Sequence, residues 1–236
     1  MKAWQEEDIQ SLLTASSEKE LFARLSEAAR DLGFEYCAYG MKVALPLSNP
    51  RVTMFNNYPE AWQKRYQEMG YLAIDPTVRR AARSAGPVLW SECMPASTLE
   101  FWEDAHAHGL KVGLALPMRD HQGLSSLLTL SRSKDEITRS ELAARRAQMY
   151  WLTEVAHLGM TQWLASKLMP EIDVRLSDRE AEVLRWTGDG KTSNDVADIL
   201  GISERTVNFH INNAMLKLGA SNKTAAVLRA AVLGLL

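Results

Sequence analysis

Cysteine is scarce in this chain. Cys37 and Cys93, the two present in 236 residues, make neither a disulfide framework nor a metal set, and they read as buried thiols. No apolar run approaches the roughly 20 residues that cross a bilayer. The N-terminal MKAWQEEDIQ carries acids where a signal peptide would be apolar. The expectation is a cytoplasmic chain with no membrane partner. An excess of either charge is also missing: 27 Lys and Arg stand against 29 Asp and Glu, a net charge of -2, so bulk electrostatics select no partner. A nucleic-acid binder need only be basic on one face, and near-neutrality leaves that class open. Asp104, His106 and His108 alternate in EDAHAHG without a convincing fourth ligand, and a solvated helix end accounts for them better than a metal. Ser, His and Asp occur without a nucleophile elbow or paired spacing, so no enzyme is expected. What the chain does have is apolar content, 46%, enough for a sizeable core and too much for a disordered regulator.

Two parts follow from the periodicity. In residues 1–168, Ile9, Leu12 and Leu13 begin a helical face, and Leu21, Phe22, Leu25 and Ala29 continue one. Strand-like patterns cover Phe34–Val43, Pro87–Trp90, Val112–Met118 and Leu124–Ser131, with RDHQG between the last two as a hairpin turn. KVALPLSNPRV reads as turn residues. NNYPEAWQKRYQEMG reads as a short helix with Pro59 at its first position and Gly70 at its end. A long helix spans about Arg139 to Leu168. These elements predict an α/β sandwich (α-β-α), an antiparallel sheet covered by helices. Pro170 stops the long helix, making 169–175 a linker. Residues 176–236 form an all-α unit of four short helices, capped in turn by Ser177, by Thr192 or Ser193, by Ser203, and by Ser221 or Asn222.

DVADILGISERTVNFHI in that tail has the layout of a helix-turn-helix. Ala197 is small where two helices cross, Gly201 permits the sharp turn, Ile202 plugs the corner and Ser203 caps the next helix. Val207, Ile211, Ala214 and Leu218 make the inward stripe. Arg205, Asn208 and Asn212 lie on another stripe, where Asn can pair with adenine and Arg with guanine or phosphate. Lys191, Thr192, Thr206, Lys217 and Lys223 are candidates for holding the DNA backbone. A small protein-interaction domain fits the same pattern about as well. The tail carries seven Lys and Arg against seven Asp and Glu. One copy would therefore hold phosphate weakly, and a dimer on a partly symmetric site is expected. The run from Leu176 to Leu236 resembles the C-terminal DNA-binding domain of the LuxR family. The resemblance rests on Glu180, Trp186, Gly190-Lys191-Thr192, Val196-Ala197, Ser203, Thr206-Val207, His210, Lys217-Leu218-Gly219 and Asn222-Lys223. Members commonly carry Lys or Arg after the Thr-Val pair, where this chain has Asn208, so its preferred bases can differ.

In the front part, Tyr58, Trp62 and Tyr66 recur every four residues, one face of a helix. Asp75-Pro76, Trp90 and Phe101-Trp102 follow. An apolar wall with a few hydroxyl, indole and carboxylate groups suits a small amphiphile, although aromatics at helical spacing are more often plain core. The series Tyr58, Trp62, Tyr66, Asp75-Pro76, Trp90 and Gly113 resembles the autoinducer-binding domain of quorum-sensing LuxR regulators. That resemblance implies an N-acyl-homoserine lactone as ligand and no cofactor. It implies Trp62 on the lactone carbonyl, Asp75 accepting the ligand amide N–H and Tyr58 donating to the amide carbonyl. Thr129 would also reach the amide region. Trp90, Phe101 and Ala105 would wall the ring, Leu110 would line the pocket, and Tyr66 and Val78 would line the acyl side.

The expected function is a homodimeric, ligand-controlled transcription regulator on promoter operator DNA, joined through the long helix and the terminal helix. RNA polymerase is a further candidate partner, though no charged run marks its surface. A LuxR-type regulator whose front domain only dimerises, without ligand, is the alternative. A phosphoacceptor domain is excluded by the absence of an acidic cluster after a strand with a later Lys.

Overall fold

Ser17 Oγ accepts the Glu20 amide at 3.2 Å and opens α1 (Glu18–Asp31), whose Leu21, Leu25 and Ala29 are buried one turn apart. The computed structural model describes Leu12, residues 14–120, 123–169 and 174–236. Of the first expected helical face, Leu12 is buried, while Ile9 and Leu13 lie outside the described residues.

The strands β1 (Tyr36–Val43), β2 (Val52–Asn56), β3 (Val88–Leu89), β4 (Val112–Arg119) and β5 (Leu124–Arg132) form one sheet, ordered β2-β1-β5-β4-β3. β1 pairs antiparallel with β2, and β4 pairs antiparallel with both β3 and β5. β2 is a correction to the sequence reading, which ran from turn residues straight into a helix. It is an edge strand with no fully buried position, so apolar alternation barely marks it. His121 and Gln122 of the expected RDHQG turn fall outside the described residues. Its closing is visible in the Asp120 carboxylate, which accepts the Leu124 amide at 2.9 Å.

Alternation along β5 sorts the two faces of the sheet. Ser126 shares a 2.8 Å hydrogen bond with His157 of the long helix α5 (Arg139–Leu168), so Ser126, Leu128 and Leu130 face that helix. Leu127, Thr129 and Ser131 face the other way, towards α2 (Glu60–Glu68), α3 (Pro76–Ala81) and α4 (Leu99–Ala107). The expected α-β-α layering is the one observed.

The tail is all helical: α6 (Asp178–Gly188), α7 (Ser193–Leu200), α8 (Glu204–Lys217) and α9 (Lys223–Val232). Ser177 with Glu180, and Thr192 with Asp195, make reciprocal capping boxes, while Ser203 and Asn222 cap the other two. Gly201 takes φ 65°, the left-handed conformation that lets α7 end and α8 start with three residues between them. Val183, Val196, Ala197, Val207 and Ile211 form the core, with Trp186, Leu200, Ile202 and Met215 packed on it. The chain divides into two compact units. The first takes most of the chain up to Leu164. The second takes Ala165–Leu236 with the short segments Val43–Arg51 and Asp120–Leu124.

Candidate ligand site and nucleic-acid interface

Asp75 is the polar centre of the front unit. It caps α3: Oδ1 accepts the Thr77 amide at 2.8 Å, the Val78 amide at 3.3 Å and the Thr77 hydroxyl at 2.6 Å. Its other oxygen accepts from the Tyr66 hydroxyl at 3.0 Å. Burial pushes this carboxyl above its ordinary range, against the pull of those hydrogen bonds. Burial, with Asp75 close by, likewise pushes the Tyr66 hydroxyl up, so a neutral phenol faces the carboxylate.

An aromatic box meets this centre through Tyr66. Trp62, Tyr71, Trp90, Phe101, Trp102, Ala105 and Leu110 are buried in one cluster, with Tyr58, Tyr66 and Tyr36 packed against it. Trp62 meets Tyr66 edge-on at 5.7 Å and Phe101 edge-on at 5.8 Å, the arrangement that ring quadrupoles favour. Trp90 lies over Gly113: a Cβ there would come within 2.6 Å of the indole and 2.9 Å of the Leu130 carbonyl. Trp102 Nε1 donates to the Cys93 carbonyl at 2.9 Å. Trp90 Nε1 and Ser131 Oγ, both buried, have no hydrogen-bond partner among the described residues. Ser131 pairs directly across from Gly113, so both orphaned groups lie at one end of the box.

Several expectations shift against these contacts. Tyr58 is not on the helix with Trp62 and Tyr66. Pro59 is the N-cap of α2 rather than its first residue, and Tyr58 precedes it, with its ring 6.0 Å from Tyr36. Tyr66, expected on the acyl side, carries its hydroxyl to Asp75. Val78 is half-buried in the first turn of α3, and its amide goes to that same carboxylate. Thr129 is buried on the site face, paired with Ala115. Ser131, two residues on, is on the same face and wholly buried. It eases ionisation of the Tyr58 hydroxyl, which burial chiefly pushes up, though its Oγ stays outside ordinary hydrogen-bond geometry. Thr77 and Ser131 were both missed in the sequence. The spacing Asp-x-Thr before a helix could have found the first, as an N-cap partner. Nothing local marks the second. Asp104 does not sit free at a helix end: it holds Arg65 Nε at 2.6 Å and the Tyr71 hydroxyl, tying α2 to α4. Among the described residues no group of three His, Cys, Asp or Glu is placed to hold a metal ion.

In the tail, the buried positions of α8 are Val207, Ile211 and Ala214, with Leu218 buried at its C-cap. The face turned away from them holds a shallow hollow lined by Glu204, Arg205, Asn208, Phe209 and Asn212. Arg205 and Asn212 are exposed, as expected. Asn208 is exposed too, but its Oδ1 accepts the Ser193 hydroxyl at 2.9 Å, which fixes the amide against the start of α7. Phe209, 59% exposed, was not anticipated as a surface residue. Lys191 and Lys223 are exposed at the entries to α7 and α9. The Thr192 hydroxyl donates to the Asp195 carboxylate at 2.8 Å within its capping box, and the Thr206 hydroxyl shares a 2.8 Å hydrogen bond with that of Ser203. Lys217, expected at the DNA backbone, is engaged within the tail. Its ammonium pairs with Glu180 at 2.7 Å, linking α8 to the buried capping box of α6. For Glu180 burial alone raises the pKa, yet the bonds from Lys217 and Ser177 outweigh it and the net shift is downward.

Comparison with known proteins places the chain in a family. Residues 17–160 match the autoinducer binding domain, and residues 174–230 match the bacterial regulatory proteins of the luxR family. The transcriptional activator protein AnoR of Acinetobacter nosocomialis is 44% identical, over 100% of each chain. The crystal structure of Escherichia coli SdiA superposes with a TM-score of 0.81 at 31% identity, covering 98% of this chain and 97% of that one. A structure of SdiA in complex with octanoyl-rac-glycerol gives 0.78 at 30% identity, covering 100% and 98%. The chain belongs to the LuxR family of transcription regulators, in which an autoinducer-binding domain precedes a DNA-binding helix-turn-helix domain.

Proposed function

We propose that this regulator binds an N-acyl-homoserine lactone in the front unit and promoter operator DNA through the tail, as a cytoplasmic homodimer. Residues 1–168 sense and dimerise, 169–175 connect, and 176–236 read DNA, with RNA polymerase as a further partner. The observation that carries the ligand reading is Asp75, a buried carboxylate with Tyr66 on one oxygen, set in an aromatic box with two orphaned polar atoms. A ligand amide N–H would be accepted by Asp75. Its carbonyls would take the hydroxyl of Tyr58 and the indole of Trp62, with Ser131 and Trp90 satisfied at the same end. Phe101, Ala105 and Leu110 would close around the ring, Thr129 would reach the amide region, and Tyr66 and Val78 would border the acyl chain. On the DNA side, Arg205, Asn208 and Asn212 would meet base edges, while Lys191, Thr192, Thr206 and Lys223 would meet phosphate. Lys217 would have to leave Glu180 to join them.

The test is expression of the full chain in cells supplied with a panel of acyl-lactones and with 1-octanoylglycerol, then extraction of the purified protein and mass spectrometry. An acyl-lactone retained at about one per chain, in preference to the glycerol ester, is the expected result. Retention of the ester alone would replace the amide-bearing ligand with an ester-linked one. Retention of neither, with an unchanged melting temperature, would favour a front unit that only dimerises.

A further inference from the structure

Phe209 is out of place as a structural residue. It sits in the middle of α8, between the buried Val207 and Ile211, and still exposes 59% of its surface. Among the described residues its ring meets that of His210, at 5.6 Å. Helical spacing puts Arg205, Phe209 and Asn212 on one stripe, at i, i+4 and i+7. The same three line the hollow on the face opposite the tail's core. Leaving a phenyl ring in water forfeits the stabilisation its burial would bring, and burial comes only from what this face docks against. The other residues lining that hollow are Glu204, an arginine and two amides, all side chains that can hydrogen-bond base edges. The apolar feature that the major groove offers beside such edges is the thymine C5-methyl group.

We infer that Phe209 is a specificity-determining residue of the DNA interface, packing its ring on a thymine methyl between the base pairs met by Arg205 and Asn212. Amide and guanidinium groups read donors and acceptors; Phe209 adds a requirement they cannot impose, a methyl group at one defined step. Asn208, whose Oδ1 accepts the Ser193 hydroxyl, lies to one side of the stripe of Arg205, Phe209 and Asn212 and so meets a different step. The inference rests on α8 being the helix that enters the major groove.

The test uses the full chain, purified with its acyl-lactone, and an operator obtained by randomised-site selection. Each thymidine is then replaced singly by deoxyuridine, which removes the methyl and leaves base pairing intact, and affinity is read by fluorescence anisotropy. Wild type should lose affinity at one symmetry-related position per half-site, by about fourfold each, the worth of one buried methyl at ~0.8 kcal/mol. Phe209→Ala should bind thymidine and deoxyuridine equally there, while Phe209→Leu should keep part of the preference. A wild type indifferent to every substitution would overturn the inference, as would an undiminished thymidine preference in Phe209→Ala. So would a change of oligomeric state in Phe209→Ala with its methyl preference intact, because the ring would then be a protein contact. Failure of wild type to select any site would defeat the DNA reading of α8 itself, and this inference with it.

Discussion

At Asp75 two demands meet in one side chain, because it caps α3 and offers a buried acceptor. Burial lifts its carboxyl above 3.8, so the folded chain holds that proton more tightly than the unfolded one. The associated stability is complete below about pH 3.8 and is lost as pH rises through the folded value; at neutral pH the charge is a cost. Asp75→Asn removes that cost and keeps a good cap. The cap holds Oδ1 on the Thr77 amide, so Nδ2 would turn towards Tyr66, whose hydroxyl can rotate to accept, and towards the ligand amide N–H, donor against donor. We expect a ligand-free melting temperature at pH 7 no lower than wild type, a flatter pH dependence above about pH 3.8, and acyl-lactone affinity reduced roughly ten- to hundredfold. Calorimetry showing affinity within twofold of wild type would remove Asp75 from the head-group role. Asn208→Ala, tested by site selection, should relax preference at one position per half-site, and an unchanged base profile would show that it is no reader.

Elements are joined here by a few close approaches. Gly113 lets β4 pass beneath Trp90. Gly113→Ala would force its Cβ against both the indole and the Leu130 carbonyl. The expected cost is about 1–3 kcal/mol of stability, with displaced Trp90 fluorescence and weaker ligand binding; a variant binding ligand normally with an unaltered spectrum would contradict the packing. Between α6 and α8 the joint is Glu180 with Lys217. Glu180 titrates below its ordinary 4.5, so its contribution is present above about pH 4.5 and disappears as pH falls through the lower folded value. Lys217→Ala should weaken that dependence and speed amide exchange in α6 and α8 at pH 7. If DNA affinity fell uniformly with exchange rates unchanged, Lys217 would be a phosphate contact and the ion pair incidental.

For the molecule as a whole, binding to the folded form sets the expected ligand response. A lactone at a hundredfold its Kd adds about 2.7 kcal/mol, and each acyl methylene taken from water contributes ~0.8 kcal/mol. Melting temperature should therefore climb with chain length until the box is full; a flat series would mean the acyl chain stays in water. On the DNA side, Arg179 and Lys217 are paired to acids within the tail and Arg229 caps carbonyls of α8 and its following turn, leaving few cations for phosphate. A shallow salt dependence follows, and Lys191→Ala should flatten the slope by about 0.9 for each phosphate that the lysine neutralises. Sedimentation should find a dimer on the operator; a monomer bound with full affinity would sink the symmetric arrangement.

The tail was legible from its residues because its signals are short-range: Ser177, Thr192, Ser203 and Asn222 each bond an amide three residues on, and Gly201 supplies its turn alone. The 30-residue helix α5 was legible for a like reason, an uninterrupted helical run from Arg139 to Leu168. The aromatic and acidic types of the ligand site could also be read in order along the chain. Their geometry could not. Tyr58 looked helical by spacing until Pro59 took the cap, and Tyr66 found Asp75 only because α2 and α3 pack on one sheet face. Ser131 reaches the site end through its pairing with Gly113, a register decided between strands. Hydrogen bonds within one turn are written in neighbouring residues, whereas contacts between strands and helices depend on how distant segments pack, and packing alone chose which side chains share the box.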